Sequence, residues 1–508
     1  MDCELTMSKK LEGINIELLL NKSFDLLNKG APPGAGASIK KSRVSGDKVF
    51  LTIESGRFVR PHDAVFRLKN FLSQHLGKEH HIGVKEINAS HYEIEFELDK
   101  EPLKDFSLTF QTIPLLKEHM RSMDFKEKTC HMHMINLSEE FLKNNYVDRM
   151  ISLIIDKINA QHYEGKAEHW ELMWASPEKK NAWNKDPTVE MEKANWIMHR
   201  GRGQWIFGPM ATRILKTFES IVMEELVTPA GFSEMVFPKA ETWDIWKKSG
   251  HAKSIYGEIY YLCQPKTRDK EYWEDVIDTY KITGEVPLHL IKDKIKEPIG
   301  GITYAQCPAF WPFLDGRTIA DESLPLKVFD RSGTSMRYES GGIHGIERVD
   351  EFHRIELVWS GYPEQVREVR KKIVDCYKHI FNDILDLEWR MAWVTPWFMA
   401  QEGLVGVKDE SEKRDIGTID FESYLPYRGT RKESEWLEFQ NASNNGDKYT
   451  KGFNVKSQKG TELWSGCTGI GMERWLATFT AQKGLDMEKW PKEFLKRFGE
   501  IPTEIKFL

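Results

Sequence analysis

The chain has 508 residues, 40% of them hydrophobic, enough apolar material for a large buried core and too much length for one domain. Its 72 Lys and Arg against 78 Asp and Glu leave a net charge of −6, so no global positive field marks a nucleic-acid binder and any such contact must be a local patch. Six scattered cysteines with no Cys-x-x-Cys pair argue against a disulfide framework and predict reduced thiols in a cytoplasm, while the interrupted apolar run from Ile14 to Leu20 predicts neither a signal peptide nor a membrane span.

Residues 1 to about 165 predict an α+β unit, a sheet covered by helices. Tyr92, Ile94, Phe96 and Leu98 alternate with glutamates, the period of a strand with one wet face; Phe106, Leu108 and Phe110 repeat it after Pro102 as an antiparallel neighbour. Between Pro61 and Gly77, Val65, Leu68, Leu72 and Leu76 have helical spacing, with Gly77 as the C-terminal stop. A second helix follows Ser138, whose hydroxyl can cap it, and runs through Met150, Ile154 and Ile158.

From 166 to 200, Trp170, Trp174, Trp183 and Trp196 fall among prolines and lysines without a clean period, which predicts a linker that packs its tryptophans on a neighbour. Residues 201 to 508 mix strands, helices and glycine turns with no internal repeat. The charged run from Lys408 to Arg414 predicts a solvated loop or helix edge.

Two short signals carry chemistry. Arg337-Tyr338-Glu339 opens a stretch to Glu356 with the layout of a strand, a glycine-bearing loop and a returning strand. Gly469-Ile470-Gly471-Met472-Glu473-Arg474 opens a C-terminal helical segment. Planar, permanently charged arginines grip phosphate through a fork of donors, a helix N-terminus favours the same anion, and glycines leave room for an adenine ring. In this order the signals resemble motifs 2 and 3 of class II aminoacyl-tRNA synthetases, and Glu219 to Lys239, a helix running through Val227–Phe232 into a strand and Pro238, resembles motif 1. The whole chain resembles the seryl-tRNA synthetases of the methanogenic, or archaeal type 2, form.

That resemblance implies an N-terminal tRNA-binding domain over 1–165, a linker over 166–200 and a class II catalytic domain over 201–508, built on an antiparallel sheet flanked by helices. Within the last, about 385–428 resembles the family's active-site helical insertion, whose Trp393, Trp397, Phe398 and Gln401 have helical spacing compatible with core packing or substrate contact. By the same resemblance Arg337 holds the α-phosphate of ATP, Arg348 the outer phosphates, and Arg474 lies over the base and reaches the phosphates. Phe352 packs on the adenine, and Tyr338, Glu339, Val349, Glu438 and Asn441 complete the nucleotide site. Gln306, Glu339, Arg354, Trp397, Gln401 and Asn441 border L-serine.

Cys307, Glu356 and Cys467 match the family's zinc ligands, although no zinc-finger spacing is present and a lone cysteine is usually a small core residue. Three protein ligands leave a fourth tetrahedral position open, where the resemblance places the amino group of serine. Mg²⁺ is implied with ATP, a homodimer through motif 1, and tRNA(Ser) as the RNA partner, with a selenocysteine tRNA as a further candidate. Lys40, Lys41, Arg43, Arg57, Arg60, Lys78, His80 and His81 give the N-terminal unit local positive charge. Two alternatives stay open: a neighbouring class II ligase, threonyl or prolyl, for which histidines are expected where Glu356 and Cys467 stand, and a catalytically silent tRNA-binding paralogue, expected to have lost Arg337 or Arg474.

Overall fold

The computed structural model describes residues 1–508 apart from 33, 105–109, 111, 162–169, 340–341, 395–415, 435, 504 and 506–508. The chain folds as two compact units, Met1–Ala167 and Glu168–Leu508.

The first unit is a six-stranded antiparallel sheet with helices. In spatial order its strands are Ala37–Ser45, Lys48–Ser55, Asp2–Met7, Val84–Glu97, Thr129–Ser138 and Met120–Lys126. The glutamate alternation is the wet face of Val84–Glu97, whose inward Ile87, Ala89 and Tyr92 are fully buried. Its neighbours are Asp2–Met7 and Thr129–Ser138; of the stretch expected beside it, 105–109 lie outside the described residues, and Phe110 is a buried member of the core.

Proline at the first turn and the stripe Val65, Leu68, Leu72 and Leu76 make the helix Pro61–His80. It does not stop at Gly77. It runs one turn further, Lys78 and His80 sit at its negative end, and His81 in the left-handed region (φ 53°) closes it. Ser138 does accept the Phe141 N–H at 3.2 Å as a cap, but that helix covers only Glu139–Lys143. Asn145 at φ 54° breaks the chain there, and the apolar stripe continues in a second helix, Tyr146–Gln161.

The second unit is organised on a larger sheet. Its strands run Ser233–Glu234, Leu326–Asp330, Glu351–Gly361, Trp464–Gly471, Leu437–Gly446, Gly417–Ser423, Trp389–Val394 and Trp170–Ala175, with Thr334–Met336 paired to Glu351–Gly361 at one end. All pairings are antiparallel except the first, as the class II expectation requires.

The tryptophan-rich stretch expected to link two domains is part of this sheet. Trp170–Ala175 is its edge strand, Trp174 lies 4.6 Å from the Trp389 ring, and Trp183 donates to the Thr480 carbonyl at 2.8 Å. Within 385–428, where a helical insertion was expected, the described residues hold two paired strands, and Trp393 stands on Trp389–Val394 instead of on a helix. Trp397, Phe398, Gln401 and the Lys408–Arg414 run lie outside the described residues.

Helix Pro209–Val222 continues through a wide turn, Met223–Val227, and a short helix to Gly231 in the left-handed region (φ 72°) before entering Ser233–Glu234. The helix Met472–Lys483 crosses behind the sheet, where Trp475 packs on Phe381 at 5.2 Å and Phe218 at 5.8 Å. Each of these fully buried aromatics is worth about 3–5 kcal/mol against truncation to alanine.

Candidate active site and metal centre

The sheet's open face carries a cleft of about 360 Å³ into which neighbouring strands deliver charge. Strand Glu351–Gly361 lies beside Trp464–Gly471 with Glu356 opposite Gly469 and Val358 opposite Cys467, so residues far apart in sequence meet across one ladder. Cys307 enters from a separate turn, Cys307–Phe313. The ligand atoms of Cys307, Glu356 and Cys467 lie within 4.8 Å of one another. Cys307 and Glu356 are buried, at 5% and 3% exposure.

Gly469 makes the approach possible: a β-carbon there would stand 2.7 Å from Glu356 Oε2 and 3.1 Å from Arg354 Nε. Burial pushes the Glu356 carboxyl up to about 7, with Arg354, 3.7 Å away, pulling the other way. The Cys307 thiol is held well above its ordinary range by the Cys467 sulfur and then by burial. Two sulfurs and a carboxylate, two of the three groups buried, form a soft donor set of the kind that takes a tetrahedral divalent ion.

Next to this cluster the cleft is basic. Arg337 pairs with Glu258 at 3.0 Å, and Arg354 donates to the Tyr304 carbonyl at 2.9 Å while its guanidinium lies 4.8 Å from the Phe352 ring centre. The Nε atoms of both arginines are buried with no hydrogen-bond partner among the described residues. Arg474, on the first turn of Met472–Lys483, donates to the Glu438 and Glu347 carbonyls at 2.7 and 3.3 Å, which fixes its guanidinium over the cleft. Gly471 meets nothing within 4 Å on its β-carbon side, and it lines the same space.

The cleft therefore brings together Cys307, Arg337, Glu339, Val349, Phe352 and Arg354, and with them Glu356, Glu438, Asn441, Cys467 and Arg474. Three expected residues are not on its walls. Gln306 is buried behind it, donating to Asp330. Tyr338 alternates outward from Arg337 and Glu339 and lies under the Arg202 guanidinium at 4.3 Å. Arg348 closes the loop turn through reciprocal backbone bonds with His344 at 3.0 and 3.1 Å.

Several residues in and around the cleft escaped sequence reasoning. Asp350 is fully buried and ties the loop down: it accepts from Glu339 N at 2.9 Å, Tyr260 Oη at 2.5 Å and Arg202 Nε at 3.1 Å. Glu347, whose carboxyl burial raises to about 7, pairs with Arg428. His251 and Tyr449 back the sulfurs, and burial lowers the His251 ring to about 3. Asn445 carried a usable signal, since Asn441, Ser443 and Asn445 share one face at a strand's period of two. For the others, no local spacing announces a contact made across the fold.

Residues 1–156 match the family model of a tRNA-binding domain, and residues 304–483 that of the tRNA synthetase class II core domain (G, H, P, S and T). A type-2 serine–tRNA ligase of Methanothrix thermoacetophila is 52% identical over 504 residues, covering 98% of this chain and 96% of its own. The corresponding ligase of Methanococcoides burtonii is 54% identical over 484 residues, covering 95% and 93%. Among solved structures, M. kandleri SerRS in complex with A. aeolicus tRNASec matches with a TM-score of 0.81 at 28% identity, covering 100% of this chain and 98% of that one.

Proposed function

The chain belongs to the type-2 serine–tRNA ligases, and from that premise we propose how its own residues divide the work of making seryl-tRNA. In the first step a carboxylate oxygen of L-serine attacks the α-phosphorus of ATP, the bond to the bridging oxygen breaks and pyrophosphate leaves. In the second, a hydroxyl of the terminal ribose of tRNA(Ser) attacks the adenylate carbonyl and AMP leaves. Neither step needs a nucleophilic side chain, because placement and charge neutralisation lower the barrier.

Arg337 takes the α-phosphate, and its buried, unpartnered Nε supports that role. Arg474 and Phe352 take the two faces of the adenine, with Val349, Glu339 and the Glu438–Asn441 segment around them. Arg354 takes the serine carboxylate. Mg²⁺ arrives with ATP.

The observation that carries the reading is the cluster Cys307, Glu356 and Cys467 in the same cleft as these arginines. These three would hold Zn²⁺, which when bound offers a Lewis-acid position selective for an unprotonated amine. Histidines, expected for a threonyl site, do not stand at Glu356 or Cys467.

In the same reading the first unit recognises tRNA, motif 1 from Glu219 to Lys239 builds a homodimer interface, and a selenocysteine tRNA is a further candidate substrate. The six cysteines are free, and among the described residues no helix is long and apolar enough to cross a membrane.

Calorimetric titration with two serine analogues tests the site. An analogue with hydroxyl in place of the amino group should fail to bind. One lacking only the side-chain hydroxyl should lose about a neutral hydrogen bond, roughly 0.5–1.5 kcal/mol. Equal binding of serine and the amine-free analogue contradicts the assignment.

A further inference from the structure

Each sulfur of the Cys307, Glu356 and Cys467 cluster has one further polar neighbour, and both neighbours come from a single short segment. Tyr449 Oη lies 3.3 Å from Cys307 Sγ, and Asn445 Nδ2 lies 3.5 Å from Cys467 Sγ. Asn445 sits at the end of strand Leu437–Gly446 and Tyr449 in the helix Lys448–Gly452. Gly446 between them occupies the left-handed region at φ 56°, where a β-carbon would stand 2.9 Å from Ile416, so the turn that sets their spacing requires glycine. Both residues are buried, at 5% and 2% exposure, and the Tyr449 ring stacks on Trp311 (5.4 Å, 15°) and on His251 (6.0 Å, 16°).

We infer that Asn445 and Tyr449 are positioning residues for the metal centre, donating one hydrogen bond to each cysteine sulfur when those sulfurs are thiolates. A metal-bound thiolate has no proton to give, so the phenol O–H and the amide N–H are the donors. Two thiolates and a carboxylate carry three formal negative charges against the two of a divalent ion. Hydrogen bonds that draw density off both sulfurs keep that ion able to take a neutral fourth ligand. The segment also fixes where each sulfur points, since Tyr449 is locked by its stacked neighbours.

The inference rests on the metal reading of the proposed function, and one experiment separates the two. Full-length protein stripped of metal is titrated with Co²⁺, and both the thiolate-to-cobalt charge-transfer band and the affinity against a competing chelator are recorded. Tyr449→Phe keeps the stacked ring and removes one donor; Asn445→Ala removes the other. Each substitution should move the band to lower energy and weaken Co²⁺ binding by roughly 10-fold or more, with the double variant worse than either. Wild-type protein that takes up no Co²⁺ overturns the metal reading itself. Wild-type uptake with an unmoved band and unchanged affinity in both variants overturns the role of Asn445 and Tyr449 alone. So does a loss of thermal stability in the metal-free variants while the loaded band stays where it was, since that marks a merely structural role.

Discussion

Glu356 is buried beside two sulfurs, and its carboxyl is pushed up to about 7 by burial, so a cation must displace a proton to enter. The Cys307 thiol, pushed higher still, adds to that cost. Metal uptake by the stripped protein should therefore release protons, and affinity should climb as pH rises through 7; calorimetry in buffers of different ionisation enthalpy measures the release, and none released contradicts the ligand set. Cys467→Ala should loosen the metal and abolish serine activation while ATP binding through Arg337 and Arg474 partly survives, as read by zinc content and nucleotide titration. Loss of ATP binding together with the metal would instead mark a structural site. A third residue titrates away from the cleft. Glu241 is buried, neither carboxylate oxygen has a hydrogen-bond partner among the described residues, and burial raises its carboxyl to about 8. The fold keeps its proton through a pH range in which the unfolded chain has lost it, so stability should fall as pH rises from about 4.5 to about 8. Glu241→Gln removes that dependence, and its unfolding free energy from urea titration should improve relative to wild type between pH 5 and 9, by an amount on the order of a few kcal/mol. Arg337 and Arg474, which both line the cleft, could be picked out in the sequence because each stands in a short motif whose chemistry suits phosphate. Cys307, Glu356 and Cys467 became legible as a cluster only through resemblance, since donors on two strands and a separate turn leave no spacing to read. Tyr449 left no signal, because its role is set by a contact 142 residues away.

Two glycines on one strand make different demands. In Trp464–Gly471, Gly466 faces the Trp359 indole, where a β-carbon would lie 2.3 Å from ring atoms, whereas Gly469 faces the Glu356 carboxylate and the Arg354 side chain. Gly466→Ala should overpack a fully buried tryptophan and cost about 1–3 kcal/mol of stability with the metal site intact. Gly469→Ala should displace Glu356 and Arg354, lowering metal content and serine activation far more than the thermal midpoint. Thermal melts and metal analysis of both proteins check the pair, and matched losses in both contradict the division. At this scale periodicity served where one face is wet, as in Val84–Glu97, and failed where the chain is closed by something other than its punctuation. Gly77 has the composition of a stop, but His81, about one turn later, supplies the left-handed closure. Trp170–Ala175 gave no strand period because every residue of this edge strand is exposed in the chain, so no alternation of buried and wet positions was written into it.

The proposed division of the reaction between the two units is tested on the whole chain. Removing Met1–Ala167 should leave serine activation measurable and make transfer to tRNA fall steeply, and the RNA affinity of the intact protein should drop with salt by a slope that counts released counterions. Full-rate charging of tRNA by the truncated protein contradicts this division. The two-unit α+β plan and the end of the first unit near 165 were readable because each unit carries its own apolar pattern; that the stretch after it belongs to the second unit was not, since Trp170 and Trp174, which suggested a linker, stand on that unit's edge strand. The central claim is that serine is selected in this cleft at a metal held by Cys307, Glu356 and Cys467. Exchange of labelled pyrophosphate into ATP, driven by serine in metal-stripped protein before and after Zn²⁺ is restored, tests it most directly. Exchange should be lost on stripping, return with Zn²⁺ and depend on serine in preference to threonine or proline; undiminished serine-dependent exchange in the stripped protein would contradict it.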